Sequence, residues 1–189
     1  MLFAHDIRIL EAGGTDGFFT EGESSTVHLL RVDDSHRHSD HNTARRPSCR
    51  QRGGAEWKGD VPTGTGTFSA GDAISGGYTY KSRFEDGPGS NPEQLIAAAH
   101  AACFSMALAN LLANSGHPPE SVHTDATITL RLVDGSPMIT KIELVTVGRV
   151  PGIDEPTFVE KALAAKAGCP VSRALAGVPD IILNASLAR

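Results

Sequence analysis

The stretch "NPEQLIAAAHAACFSMAL", residues 91–108, constrains this chain more than any other. Asn91 is a natural N-cap, because its side-chain oxygen can accept from the free N–H groups of a first helical turn. Pro92 follows at the first helical position, where its fixed φ and missing N–H cost nothing. No breaker then appears until Gly116, so the pattern predicts one helix from Pro92 to about Asn114. Its surface is Ala-rich and apolar on all sides, which predicts burial on every side. The rest of the chain must therefore wrap around it. Aromatic residues make up only 5% of the chain against 40% apolar overall, so the core has to be built from Ala, Leu, Ile and Val.

The flanks read mainly as strands. "AEWKGD" and "GTGTFSA" are short strands joined through Pro62 and Gly64, and "GGYTYKSRF" alternates in the manner of a strand. That alternation puts Tyr78, Tyr80, Ser82 and Phe84 on one face and Thr79, Lys81 and Arg83 on the other. After the helix, "SVHTDATITLRLV" and "PMITKIELVTVGRV" form a hairpin with Asp134-Gly135 at its turn. "EPTFVEKALAAKAG" is an amphipathic helix, "CPVSRALAG" a further helical turn, and "DIILNASLA" a closing strand. The order predicts an α+β fold with a mainly antiparallel sheet. Residues 1–50 differ in character. "HDIRIL" and "STVHLLRV" hint at two strands, and a polar linker follows, so this segment is expected to be a β-rich appendage or arm on a domain at 51–189.

Three cysteines, Cys49, Cys103 and Cys169, are too few for a disulfide scaffold, and their spacing fits no zinc motif. Cys169 opens a helical turn, where the partial positive charge of a helix N-terminus favours a thiolate. Cys103 lies in mid-helix and would need a cation from elsewhere; Arg83 is the best candidate, because a guanidinium stays charged at any working pH. Glu93, in the first turn of the helix, could balance and orient that guanidinium. Each residue also has an ordinary explanation. A lone cysteine on an apolar helix is commonly packing, an arginine on a strand commonly faces water, and a glutamate near a helix start commonly complements the dipole. His100, three positions before Cys103, could pack or hydrogen-bond near the site, or act as the base of a Cys–His hydrolase, although no oxyanion hole or third group is evident.

The net charge of −5 argues against general affinity for nucleic acid or acidic membranes, and no apolar run is expected to span a bilayer uninterrupted. Asp6 and Arg8 interrupt the N-terminal stretch where a secretory leader needs an apolar core, so a soluble, cytoplasmic protein is expected. "HRHSDH" (His36, His38, Asp40, His41) has the composition of a metal site but reads more naturally as a solvated loop. "ARRPSCRQR", which contains Cys49, reads as a basic linker.

Taken together, "AEWKGDVPTGTGTFS", "YKSRFEDGPGSNPEQL", "AAAHAACFSMAL" and "CPVSRAL" resemble the osmotically inducible protein C (OsmC) family, relatives of the organic hydroperoxide resistance (Ohr) proteins, over residues 53–189. The segment with His100 looks closer to the OsmC branch. The resemblance implies an intertwined homodimer with long central helices between strands. It implies a thiol peroxidase for organic hydroperoxides, and possibly hydrogen peroxide, in oxidative and osmotic stress, with no metal or flavin. Cys103 would be the peroxidatic and Cys169 the resolving cysteine, with Arg83 as activator and Glu93 as its carboxylate. An external dithiol, of lipoyl type, would return the protein to its reduced form. An apolar pocket including Phe104 or Met106 would receive the substrate. Ten residues of helix between Glu93 and Cys103 correspond to a rise of about 15 Å, so each site is expected to be assembled from two subunits. Two non-enzymatic alternatives remain, a redox sensor or a binder of apolar ligands using the same cleft.

Overall fold

A computed structural model of the chain describes residues 49–188. The expected N-terminal strands and the His36/His38/His41 cluster lie outside these residues. An antiparallel meander comes first: β1 (Gly53–Lys58), β2 (Thr65–Ala70) and β3 (Ile74–Thr79), in the order β1-β2-β3. Its register sets Gly66 between Trp57 and Tyr78, and a side chain at Gly66 would collide with both rings. That close approach is why glycine stands there.

The strand expected to run on through "YKSRF" stops at Thr79. Residues Tyr80–Phe84 are instead a short helix, α1, with a reciprocal cap. The Thr79 hydroxyl accepts from Ser82 N–H at 3.1 Å, and the Ser82 hydroxyl accepts from Thr79 N–H at 2.9 Å. A capping box stabilises a turn that competes with strand continuation. Ser82 also donates to the Ser90 carbonyl at 2.8 Å, and Asn91 Nδ2 donates to the Ser82 carbonyl at 3.0 Å. These bonds tie α1 to the start of the central helix.

That helix, α2 (Pro92–Asn114), has the expected limits, with Asn91 capping Gln94 N–H at 2.8 Å and Gly116 at φ 87° beyond its end. Burial on every side does not occur among the described residues. The buried residues are His100, Phe104, Leu108 and Leu112, a single stripe at four-residue spacing. The opposite face, with Leu95, Ala98, Ala99, Ala102 and Met106, is partly or fully open, and Met106 is 71% exposed. By length and composition alone α2 could cross a bilayer, contrary to the expectation of no such run; here its buried stripe joins the core shared with the sheet and α3.

β4 (Ser121–Val133) and β5 (Ser136–Arg149) form the expected hairpin, with Asp134 at φ 51° and Gly135 at φ 78°, the left-handed pair that a tight turn requires. β5 alternates cleanly, burying Ile142, Leu144, Thr146 and Gly148. Helices α3 (Glu155–Gly168) and α4 (Pro170–Ala174) lead to β6 (Asp180–Leu187), which joins β5 in parallel and gives the sheet order β4-β5-β6. The fold is therefore α+β, with one three-stranded sheet of each kind, all-antiparallel and mixed. The buried polar contacts between α2 and the larger sheet are satisfied: Ser105 donates to Thr124 at 2.8 Å, Thr124 meets Thr146 at 2.9 Å, and Thr146 donates to the His123 carbonyl at 3.0 Å.

Candidate functional site

The central stripe of α2 carries Cys103 beside its buried residues, facing the junction of α3 and α4. That junction is Cys169, which ends α3 and caps α4, just ahead of Pro170. Its backbone is extended there, so the side chain turns back toward α2. The two sulfurs stand 3.3 Å apart, at hydrogen-bond distance and not bonded covalently. Residues 66 apart in sequence are thus brought together by the return of the chain through β4, β5 and α3.

The two thiols occupy different electrostatic settings. Burial pushes the Cys103 thiol up; the Val171 N–H opposes this, and Cys169 pushes it further up. Burial also acts upward on Cys169, but the Ser172 N–H, the Cys103 thiol, the Ser172 hydroxyl and the Val171 N–H outweigh it, so its pKa falls below the ordinary value. The expected influence of a helix start on Cys169 is therefore present in the geometry. Cys169 is 0% exposed, whereas Cys103 is partly open.

Arg83 and Glu93 are also brought together, in a second place. Arg83 lies in the last turn of α1, not on a strand as expected, and its Nη2 donates to Glu93 Oε1 at 2.8 Å. Its Nε reaches both carboxylate oxygens at 3.2 Å, and its guanidinium lies 5.0 Å from the Phe84 ring centre. Such a fork-to-fork pair fixes the direction of the guanidinium as well as balancing its charge. The helical rise puts this pair about 15 Å along α2 from Cys103. Within one chain the four residues form two pairs and not one cluster.

Sequence reasoning left His100 open, and the structure gives it a partner. It is fully buried, and Nε2 lies 2.7 Å from Ser172 Oγ, while Nδ1 has no partner. No hydrogen bond joins it to Cys103 among the described residues, which removes the basis for a Cys–His hydrolase pair. Ser172 was missed altogether. Its only signal in the sequence is its place three residues after Cys169, where a helix-start side chain can face the cap. Phe104, expected to line a pocket, is instead fully buried in the core. A cavity of about 650 Å³ does exist, between the β1–β3 sheet and the open face of α2, lined by Phe68, Tyr78, Leu95, Ala98 and Ala102 among others. Among the described residues, no group of three or more His, Cys, Asp or Glu could hold a metal ion. Cys49 is exposed, and its sulfur accepts from Gln51 Nε2 at 3.0 Å.

Fold and paired thiols together define a dithiol protein of the α+β class. Comparison with known proteins narrows this further. The OsmC-like protein family model matches residues 85–184. The chain is 47% identical over 127 residues to peroxiredoxin OsmC of Escherichia coli, covering 66% of this chain and 89% of that protein. It is 32% identical over 104 residues to an organic hydroperoxide resistance protein-like protein of Staphylococcus aureus, covering 54% and 73%. In fold it is similar to the organic hydroperoxide resistance protein OhrB of Bacillus subtilis, with a TM-score of 0.55 at 23% identity over 72% of this chain and 98% of that one. This chain belongs to the OsmC-like protein family.

Proposed function

We propose that the chain is a cytoplasmic, cysteine-based peroxidase for organic hydroperoxides and hydrogen peroxide, acting in oxidative and osmotic stress defence. The observation that carries this reading is the 3.3 Å approach of two unbonded sulfurs, one partly open and one buried. The names of the relatives, peroxiredoxin and organic hydroperoxide resistance protein, support it. The Cys103 thiolate attacks the outer oxygen of ROOH. The O–O bond breaks, the departing alkoxide takes a proton to become ROH, and Cys103 becomes a sulfenic acid. Cys169 then attacks the Cys103 sulfur, forming the S–S bond as the S–O bond breaks, and hydroxide leaves as water. The sulfurs must close from 3.3 Å to a bond of about 2.05 Å, a shift that side-chain rotation can supply. An external dithiol of lipoyl type reopens the disulfide by exchange and is itself oxidised.

Among the described residues no cation is brought to Cys103, whose pKa is raised by burial. The partner subunit's Arg83, held by Glu93 of the partner subunit, supplies the missing cation in a homodimer with shared sites. Two features support this arrangement. The open face of α2 is an apolar stripe of alanines flanked by Leu95 and Met106, opposite the buried one and suited to a second copy of the same helix. The cavity between that face and the β1–β3 sheet has the apolar lining of an unfilled interface. Domain 51–189 carries the activity, and residues 1–50 are an appendage to it.

Steady-state reduction of cumene hydroperoxide and hydrogen peroxide with a dithiol present tests the reading. Wild type should consume many equivalents, Cys103→Ser none, and Cys169→Ser should stop after one oxidation unless the thiol supplied resolves Cys103 directly. Consumption of a single equivalent by wild type would mark a sensor instead.

A further inference from the structure

We propose that His100 and Ser172 are positioning residues: their hydrogen bond braces α4 against α2 and so holds the Cys169 sulfur within closing distance of Cys103. The proposal rests on the dithiol reading above and gives a role to two residues that reading does not use.

The placement mirrors the two thiols. His100 stands three residues before Cys103 on α2, and Ser172 three residues after Cys169 on α4. Nε2 and Oγ lie 2.7 Å apart, and the two sulfurs 3.3 Å. Three residues of α2 rise about 4.5 Å, so the contacts are two rungs between the same pair of elements. His100 is 0% exposed and Ser172 6%. Burial lowers the His100 pKa, so the ring is neutral, and its Nδ1 has no partner. A buried N–H without an acceptor is rarer than an unfilled lone pair, so the proton sits on Nε2 and is donated to Ser172 Oγ. An imidazole with one nitrogen stranded is a costly way to fill space in an apolar core. What it supplies, and an apolar side chain cannot, is a directed bond.

Such a bond is what α4 lacks from its own sequence. It has five residues, far short of the about 12–15 that hold an isolated helix together. Cys169, the joint between α3 and α4, has an extended backbone, so α3 does not run on into α4 as one rod. Val171 and Leu175 pack on the core, but apolar contact is non-directional and resists separation better than sliding. Among the described residues, the bond to His100 is the one side-chain hydrogen bond made from within Pro170–Ala174. Its effect differs between the two redox forms. In the oxidised protein the Cys103–Cys169 bond itself holds α4 to α2. In the reduced protein only the brace and the packing do so. Removing the brace therefore frees α4 more in the reduced form, and the ordering it had supplied in advance then counts against closure.

The test is the equilibrium of the full chain with glutathione, which needs no peroxide. Cys49→Ser is present in every arm, so that only the pair reacts. The protein dithiol gives two electrons and two protons to glutathione disulfide, the Cys103–Cys169 bond forms, and two glutathione thiols are released. The ratio of oxidised to reduced protein, read by mass after acid quench and alkylation, gives the effective concentration of one thiol at the other. Ser172→Ala and His100→Leu should lower it about five- to tenfold, the scale of one buried hydrogen bond, which raises the potential by about 20–30 mV. Ser172→Thr keeps the hydroxyl, and the amide of His100→Gln reaches the place of Nε2, so both should stay near wild type. Leu112→Ala weakens the same buried stripe of α2 away from both contacts and should leave the ratio unchanged. An unchanged ratio in Ser172→Ala overturns the proposal. So does an equal shift in Leu112→Ala, and so do Thr and Gln variants that both behave like the deletions while near-ultraviolet circular dichroism shows native packing. Should His100→Leu fail to fold, the Ser172 arms decide alone. A lowered ratio in a protein whose wild type does not turn over peroxide would sink the peroxidase reading and leave the brace standing. An unchanged ratio in an active peroxidase would do the reverse.

Discussion

Mixing two inactive variants gives the sharpest test of where the activating charge comes from. In one variant Cys103→Ser removes the attacking sulfur; in the other Arg83→Ala removes the cation. The rise of α2 over the ten residues from Glu93 to Cys103 is about 15 Å, more than the Arg83 side chain can cross while bound to Glu93 at 2.8 Å. If the charge comes from the partner, a mixed dimer holds one complete site, made of the sulfur of the Arg83→Ala chain and the guanidinium of the Cys103→Ser chain. Random reassociation of equal amounts makes about half the dimers mixed, each with one site in two, so about one quarter of wild-type peroxidase activity should return. Alone, Arg83→Ala should lose at least tenfold in kcat/KM at neutral pH, because each unit of upward pKa shift removes about tenfold of the thiolate. The assay is initial-rate cumene hydroperoxide reduction after joint denaturation and refolding, with separately refolded variants as controls. Activity no greater than the average of the two controls would refute assembly across subunits. It would mean that Arg83 swings from Glu93 to its own chain's thiol, or that Cys103 needs no arginine.

The other expectations are more local. A methyl group at Gly148 would overlap the ring of Phe158, which is fully buried, so Gly148→Ala should destabilise by about 1–3 kcal/mol in urea unfolding, and Phe158→Leu in the same chain should recover part of that. The Asp154 carboxyl caps α3, and the Thr157 N–H holds its pKa below the usual value. Its contribution is therefore present above the unfolded-state pKa and lost as pH falls through the lower folded one. Asp154→Ala should lower the melting temperature at pH 7, and the gap to wild type should shrink in acid. With an alkylating maleimide, whose thioether the neighbouring thiol cannot displace, added to reduced protein and the product digested after acid quench, the label should be found on Cys103 and Cys49 and not on Cys169; label on Cys169 would mean that α4 opens in solution.

Much of the frame was legible because its signals are local. The Asn91–Pro92 start, the Asp134-Gly135 turn and the alternation of β5 each declare themselves within a few residues. The failure at Tyr80–Phe84 is equally instructive. Alternating Tyr, Ser and Phe fits a strand, but Thr79 and Ser82 close a reciprocal cap, and the bonds from Ser82 to the start of α2 are long-range. Arg83 thereby moved from a strand face to a helix end, yet still met Glu93. Burial of α2 was overestimated because composition reports how apolar a helix is, not which chain covers it. His100 and Ser172 were illegible as a pair, since 72 residues separate them and only the packing of α4 on α2 brings them within 2.7 Å.

Complete enclosure of Cys169 also governs how the molecule wears out. Excess oxidant has no route to that atom, so within the pair irreversible sulfinic and sulfonic products should gather on Cys103. A neighbour already waiting 3.3 Å away competes with every second peroxide molecule for the sulfenic acid. Working lifetime under heavy oxidant load is thus a race between two rates, and the shielded sulfur acts as the protector of the partly open one.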